Sequence, residues 1–422
     1  MQAGGGGWVW LPLLWLVGSR AGDPAGYKRK VSLEYNPGWN SSAVNLLHVR
    51  AVGLNDTIHY VWSTIGAPTV LLVYTRSQSS GLHVNWTRLL SPSPSGAIQV
   101  EPAGSVLYSM AVIFSKVFEY NGTKTSDLSK ANASSFYPTY ELANFTWDSL
   151  DGRLNETTLT ATFQGVGTDS GGTFRNGSIS FQVTAYEETS RDGPLPRLLH
   201  TANSSKVDFV MRGVAPRGNR SRFALEIVTV EERGGQKQLE STRSIDDEYT
   251  PTIFEMAQLV SVPRNNSAGF SFLQWKTAAY SALQPKREDT VHCEYYQLET
   301  ENRTVPRPSI AHAYFGEELE VHNGVAAINI SFGSEDSEAY QEKSYLSWSA
   351  LIGFGEPPKD GFSPLVIAIL AVGLGTPVLL LVGGSITVLV SRKKPYSEEQ
   401  SFPLVEPFRD GGGCSCFSCC AI

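Results

Sequence analysis

The feature that most constrains this 422-residue chain is a run of thirty residues, 361–390, without a charged side chain. Roughly 20 apolar residues are enough for a helix to cross the hydrocarbon core of a bilayer. Three basic residues, 392–394, follow the run, and a basic cluster on this flank indicates a cytosolic tail. We therefore predict a transmembrane helix at 361–390, a cytosolic tail at 391–422 and an ectodomain at 22–360 on the other side of the membrane.

The N-terminus has the features of a signal peptide. An apolar stretch from Trp8 to Val17 is too short to span a bilayer, and the small-x-small triplet Ser19-Arg20-Ala21 follows it. An apolar first strand of the fold is the alternative, but the transmembrane segment independently requires export. We therefore expect residues 1–21 to be a cleaved signal peptide and the topology to be that of a type I membrane protein.

Asparagine in this chain occurs mostly where N-glycans can be attached. Thirteen of the 17 Asn residues begin an Asn-x-Ser/Thr triplet without a central Pro, whereas random placement among 74 Ser and Thr residues would give about three. They are Asn40, Asn55, Asn85, Asn121, Asn132, Asn144, Asn155, Asn176, Asn203, Asn219, Asn265, Asn302 and Asn329. Because none lies in the predicted span or tail, the sequence predicts a heavily glycosylated lumenal ectodomain.

Composition restricts the partners and the source of stability. The net charge of −7 argues against nucleic acid as a partner, and the 11% of aromatic residues permits a sizeable core. Of five Cys, only Cys293 precedes the span, so the ectodomain cannot form an internal disulfide and depends on its core. Cys293 is either buried, which we favour, or bonded to another chain, which leaves a homodimer open.

Hydrophobic residues before the span mostly recur with period two, which is typical of strands. The alternation runs through residues 158–166, 177–186, 207–211, 223–229 and 326–332, and the apolar runs at 70–74 and 110–114 indicate buried strands. We predict an all-β ectodomain of antiparallel β-sandwich layers, arranged as two packed subdomains with a joint near 191–196.

The alternating pattern also predicts where two of the asparagines lie. Asn176-Gly177 lies between two alternating segments and predicts a hairpin turn. Asn329 lies between Ile328 and Ile330, so we expect it on the solvent face of a strand, where a glycan fits.

Several unbroken segments resemble one known family. They are residues 45–62 (NLLHVRAVGLNDTIHYVW), 159–165 (LTATFQG), 197–202 (RLLHTA), 215–221 (APRGNRS), 244–249 (SIDDEY) and 345–366 (YLSWSALIGFGEPPKDGFSPLV). In this order they resemble the glycosylated lysosomal membrane protein family. The resemblance implies a type I protein of the lysosomal membrane that is not an enzyme. It also implies an accessory subunit of a multispanning major-facilitator-superfamily transporter, which the subunit protects from lysosomal proteolysis.

Other motifs suggest a lumenal hydrolase as an alternative. Asp169-Ser170-Gly171 is similar to the nucleophile loop of trypsin-like proteases, but the upstream His residues lack that family's Ala-Ala-His-Cys context. An aspartic protease would need a second Asp-Ser-Gly loop. Asp246-Asp247-Glu248 lacks the spaced oxygen ligands of a calcium loop, and the seven His residues lack metal-ligand spacing. We therefore predict no catalytic residue, no metal and no cofactor.

A nuclear transcriptional coactivator is the alternative of a different class. Residues 195–199, Leu-Pro-Arg-Leu-Leu, fit the LxxLL pattern that docks as a helix in a receptor groove. The predicted topology places this segment in the lumen, which argues against that function.

The span and the tail carry two further candidate sites. Ala371 and Gly375 form a small-xxx-small pair that would let another helix approach closely, and the ordinary frequency of glycine in membrane helices explains them equally well. Four cysteines crowd the tail, where we favour S-palmitoylation over an unmodified tail, prenylation or zinc binding. These cysteines are Cys414, Cys416, Cys419 and Cys420.

Overall fold

The computed structural model describes residues 27–121, 132–168, 173–232, 235–246, 252–263, 271–296, 298–300, 304–333, 339–359 and 364–391. The strands within them are β1 (Lys30–Tyr35), β2 (Leu46–Val52), β3 (Thr57–Ser63), β4 (Thr69–Thr75), β5 (Gly81–Val84), β6 (Ile98–Glu101), β7 (Val106–Asn121), β8 (Tyr140–Glu141), β9 (Thr146–Trp147), β10 (Leu154–Asn155), β11 (Thr160–Val166), β12 (Ser178–Ala185), β13 (Ser190–Arg191), β14 (Leu199–His200), β15 (Ser204–Arg212), β16 (Ser221–Glu232), β17 (Gly235–Asp246), β18 (Thr252–Pro263), β19 (Ser271–Lys276), β20 (Ala278–Tyr280), β21 (Thr290–Tyr295), β22 (Asn323–Phe332) and β23 (Tyr345–Phe354). The helices are α1 (Trp86–Leu89), α2 (Ile310–Phe315), α3 (Leu319–His322), α4 (Ala339–Lys343) and α5 (Pro364–Ser391).

Most of these strands form two antiparallel sheets, and β5–β6 and β13–β14 are separate two-stranded pairs. The first has the order β1-β2-β3-β4-β7-β16-β22-β21. The second has the order β10-β11-β12-β15-β23-β19-β18-β17. β20 connects them, since it pairs with β21 and, at Tyr280, with β23. The predicted all-β antiparallel architecture is confirmed, and every strand predicted from alternation is present.

One core lies between the two sheets. The ring centroids of Phe114 in β7 and Phe181 in β12 are 4.7 Å apart, and those of Phe209 in β15 and Phe332 in β22 are 6.0 Å apart. These side chains belong to a single cluster of buried apolar residues that draws on both sheets. Burial of that apolar area is the main stabilising term for a fold that has no internal disulfide.

The first sheet is covered on its outer face as well. Leu71 of β4 and Ile113 of β7 pack there in a second apolar cluster, together with Trp86 of α1 and Ile310 of α2. A strand that is buried on both faces needs apolar residues at successive positions. This explains why β4 and the middle of β7 are continuous apolar runs rather than alternating ones.

Residues 191–196 do not form a joint between two subdomains. The strands on either side, β12 and β15, pair along their whole length, from Ala185 opposite Ser205 to Ser178 opposite Arg212. The chain between them folds back onto the second sheet and buries Leu198 in a small apolar cluster. The strand-rich part of the chain is one compact unit that ends at Gly361, so the expected two subdomains are instead two sheets with a shared core.

The hairpin predicted at Asn176-Gly177 is formed by β11 and β12, which pair from Thr160 opposite Thr184 to Gly165 opposite Ile179. The connection between these strands extends over residues 167–177. Asn176 and Gly177 therefore directly precede β12 and are not a two-residue turn between the strands.

α5 is the one helix of the described residues that is long and apolar enough to cross a membrane. From Ala371 onward its side chains are mostly exposed, including Leu374 at 71% and Leu379 at 73%, as a lipid-facing helix requires. The hydroxyls of Ser385 and Thr387 donate to carbonyls of the same helix at 2.7 and 2.8 Å, so neither polar group needs water. Pro377 lies inside the helix.

Candidate glycan-bearing surface

Of the eleven predicted glycan acceptors within the described residues, nine are exposed. They lie in loops, in turns or at strand ends rather than in the middle of the long strands, because loops cross the surface where no neighbouring strand covers them. They are Asn40, Asn55, Asn85, Asn121, Asn132, Asn144, Asn155, Asn176 and Asn219. An exposed side chain leaves its amide nitrogen, the atom that carries a glycan, a route to solvent.

Local hydrogen bonds orient several of these amides. Asn85 caps α1, and its Oδ1 accepts from the backbone N–H of Arg88 at 3.0 Å. Asn132 Oδ1 accepts from the N–H of Ser134 at 3.2 Å, and Asn155 Oδ1 accepts from the N–H two residues further on at 2.9 Å. In each case the oxygen binds the backbone, as Asn does at helix caps and turns. The nitrogen, on the opposite side of the planar amide, is directed away from those contacts.

Asn203 differs because it is half-buried and part of the packing. Its Oδ1 accepts from Arg29 Nε at 2.7 Å, and the buried Arg29 guanidinium also pairs with Asp56 at 2.7 Å. Its backbone carbonyl accepts from Tyr60 Oη at 2.6 Å. The loop before β15 is thereby tied to the first sheet. Sequence reasoning missed this contact, because residues so far apart in the chain carry no local signal of it.

The alternation of hydrophobic residues predicted that Asn329 lies on a solvent-exposed strand face. The structure does not place it on an open face. It is half-buried, and its Oδ1 is enclosed by protein. β22 is an inner strand between β16 and β21, and Tyr296 after β21 continues the ladder by donating its N–H to the Asn329 carbonyl at 3.1 Å. The Tyr296 hydroxyl lies 2.8 Å from Ser331 Oγ, two residues along from Asn329 on the same face of β22, so this side chain covers part of that face. Alternation identified the face correctly as polar, but it carries no information about which segment covers that face.

The remaining predicted sites lie outside the described residues. They are Asn265, Asn302, the signal peptide, residues 169–172, Asp247, Glu248, and the tail with Cys414, Cys416, Cys419 and Cys420.

Cys293 is buried, as we favoured. Its side chain is 1% exposed in the shared core, and burial raises the pKa of its thiol well above the usual value. A protonated and enclosed thiol is a poor partner for disulfide exchange. Cys293 therefore acts as a small apolar core residue.

The LxxLL segment does not form a helix. Residues 195–198 are a turn and a short loop, and Leu199 begins β14. Leu198 is fully buried against Phe272 and Leu351 of the second sheet. Docking in a receptor groove requires exposed leucines on one face of a helix. Because this segment is not helical and Leu198 is buried, the structure argues against the coactivator alternative.

A buried chain of polar groups crosses strands of the first sheet. His48 Nε2 lies 2.9 Å from His59 Nδ1, and His59 Nε2 lies 2.8 Å from Ser80 Oγ. Burial lowers the pKa of His59 to about 3, with smaller electrostatic contributions from His48 and Arg50. Because His48 and His59 are 4% and 0% exposed, this chain of hydrogen bonds joins strands and does not present a reactive group.

A serine–histidine contact at the start of α2 is the kind of pair that a hydrolase would use. Ser309 Oγ lies 3.1 Å from His312 Nδ1, beside a cavity of about 280 Å³ that Leu89 and Pro308 also line. Burial, and then the Arg307 charge, lower the pKa of His312. Both side chains of the pair are enclosed, at 4% and 2% exposure, whereas a nucleophile must contact its substrate. Among the described residues no group of three His, Cys, Asp or Glu is placed to hold a metal.

Comparison with known proteins identifies the family. The family model described as glycosylated lysosomal membrane protein matches residues 45–395. Glycosylated lysosomal membrane protein A of Xenopus laevis is 52% identical over 395 residues, which cover 93% of this chain and 97% of that relative. The chain belongs to the glycosylated lysosomal membrane protein family. The relatives of the same family name in Homo sapiens and Danio rerio are 42% and 41% identical, each over 88% of this chain and over 90% and 91% of their own length.

Membership of the glycosylated lysosomal membrane protein family confirms the resemblance found in the quoted segments. It makes the chain a lysosomal membrane glycoprotein, and α5 is its candidate membrane span.

Proposed function

We propose that this member of the glycosylated lysosomal membrane protein family is a non-catalytic accessory subunit of a lysosomal major-facilitator-superfamily transporter. In this proposal the β-sandwich lies in the lumen, α5 spans the membrane once, and the glycosylated sandwich shields the transporter from lumenal proteases. The class of partner comes from the family resemblance.

The observation that carries the proposal is the placement of the nine exposed acceptors on loops, turns and strand ends. Proteases cut exposed loop tips far more readily than paired strands. Glycans at these positions would cover the places where this sandwich is most easily cut. A domain so protected, held beside a multispanning protein, would extend that protection to the loops of its partner.

A surface role also agrees with the chemistry of the described residues. A hydrolase needs a nucleophile that reaches its substrate, and Ser309, the serine bonded to a histidine, is buried. Binding to another membrane protein needs only complementary surfaces and, in the bilayer, small residues such as Ala371 and Gly375.

Affinity purification from lysosomal membranes tests the proposal. We expect the chain to be sensitive to glycosidase and to recover one multispanning major-facilitator transporter in near-equal amount, identified by mass spectrometry. A variant that lacks α5 and is secreted is the matched control for the contribution of the span. Recovery of the chain from mild detergent without any multispanning transporter would contradict the proposal.

A further inference from the structure

Two tryptophans stack beside two of the glycan acceptors. The ring centroids of Trp39 and Trp86 are 5.4 Å apart, and the ring planes are inclined by 22°. Asn40 follows Trp39 in the chain, and Asn85 precedes Trp86. Trp86 is 5% exposed and lies in the apolar cluster on the outer face of the first sheet. Trp39 is 36% exposed, so one side of the stacked pair faces solvent.

The exposed tryptophan is held in place and is not on a loose loop. Trp86 Nε1 donates to the carbonyl of Pro37 at 2.8 Å, and the N–H of Trp39 donates to the carbonyl of Asn36 at 2.9 Å. The buried amide of Asn36 donates to the carbonyl of Ser41 at 2.9 Å. These bonds fix the loop on both sides of Trp39. A fixed indole with an open face can serve as a binding platform. Because the fold already immobilises this side chain, little conformational entropy is lost when a ligand binds to it.

Asn85 is the acceptor whose amide is fixed beside that platform, because it directly precedes Trp86 and caps α1. Its Oδ1 is bound to the N–H of Arg88 at 3.0 Å as the cap of α1, so its Nδ2 is directed away from the helix. A glycan on this nitrogen starts one residue from the Trp86 ring, against which Trp39 stacks. Asn40 is also exposed, but no hydrogen bond described here fixes its amide.

We propose that the open face of Trp39 binds the first N-acetylglucosamine of a glycan attached to Asn85. The proposal rests on glycosylation of Asn85, which belongs to the proposed function. One face of this sugar ring is lined by C–H groups, and such a face gains dispersion contacts and buries apolar area on an indole. Covalent attachment makes the binding intramolecular, with an effective concentration on the order of millimolar. The glycan then covers an exposed tryptophan and packs onto the sandwich.

Hydroxyl-radical footprinting of the full-length protein, read by mass spectrometry at Trp39, tests this binding site. Thr87→Ala removes the glycan acceptor but keeps Asn85 as the helix cap, and Thr87→Ser keeps the acceptor. Ser42→Ala removes the acceptor at Asn40. Thr157→Ala removes a distant one at Asn155, and it controls for the loss of any one glycan. The intact mass of each variant shows separately whether each acceptor is occupied.

We expect oxidation of Trp39 to rise severalfold in Thr87→Ala and to stay at the wild-type level in the other three variants. If Asn85 is occupied and Thr87→Ala leaves the oxidation of Trp39 unchanged, the proposed contact is wrong, while the glycan coat stands. If Ser42→Ala alone raises the oxidation, the sugar comes from Asn40 and the assignment to Asn85 is overturned. An unglycosylated Asn85 in the wild-type protein would overturn both this inference and part of the proposed coat.

Discussion

His59 is a single residue whose titration makes the stability of the fold depend on pH. Burial lowers its pKa to about 3 from the usual value of 6.5, so protons bind the unfolded chain first. Its contribution to stability is therefore full above about pH 6.5 and is lost as the pH falls towards 3. At pH 5 the loss is about 2 kcal/mol relative to pH 7.

We expect His59→Gln to lower the stability at pH 7 but to remove most of this pH-dependent loss. The measurement is chemical unfolding at pH 7 and pH 5 for wild type and variant. His83→Gln is the matched control, because His83 is exposed. If wild type and His59→Gln lost the same free energy of unfolding between the two pH values, His59 would not be the buried neutral group described.

Asn203 combines a glycan acceptor with a packing contact, and two substitutions separate these roles. Asn203→Asp removes the acceptor for glycosylation but keeps an oxygen for the Arg29 guanidinium. Asn203→Ala removes both. Since Arg29 is buried and its Nε donates to Asn203 at 2.7 Å, we expect the Ala variant to be less stable than the Asp variant by about 1–3 kcal/mol. Equal unfolding free energies of the two variants would show that the contact with Arg29 contributes nothing.

The individual strands could be predicted from the sequence. Which strands pair with one another, and which segments pack on their faces, could not. β11 and β12 alternate because one face packs on the core, and a period of two is a local property of the chain. The pairing of β15 with β23 joins residues more than a hundred positions apart, such as Asp208 opposite Ser349. Hydrophobic periodicity contains no information on such pairings.

The same holds for the candidate glycan-bearing surface: its local features were predictable from the sequence, and its tertiary contacts were not. The acceptors were found from a three-residue motif, and their general exposure follows from the tendency of glycine-rich and polar loops to lie on the surface. The covering of Asn329 by the segment after β21, and the bond from Arg29 to Asn203, are tertiary contacts. The stacked pair Trp39–Trp86 is also tertiary, since β2 to β5 lie between its members in the chain.

α5 carries a prediction about assembly in the membrane. Ala371 and Gly375 are four residues apart, so they lie on one side of the helix. If a partner helix packs there, Ala371→Leu with Gly375→Leu should reduce recovery of the transporter severalfold from mild detergent. Gly373→Leu adds the same bulk roughly on the opposite side and should leave recovery unchanged. Full recovery with the double variant would remove this face of α5 from the interface.

For the molecule as a whole, the proposed protective function depends on glycans at the exposed acceptors. The sandwich has one core between its sheets and no internal disulfide, so no covalent cross-link holds its strands together. Its loops are the weak points for proteolysis, and nine acceptors lie in loops, in turns or at strand ends. The coat is therefore expected to slow cleavage of this chain and of whatever transporter it accompanies.

The lifetime of the partner in cells is the most direct test of that function. The transporter recovered with this chain is followed by pulse-chase in cells that lack the chain and in the same cells after the wild-type chain is restored. We predict that loss of the chain shortens the half-life of the transporter severalfold, that inhibition of lysosomal proteases removes the difference, and that restoring the chain reverses it. A transporter half-life that is the same with and without the chain would contradict the protective role.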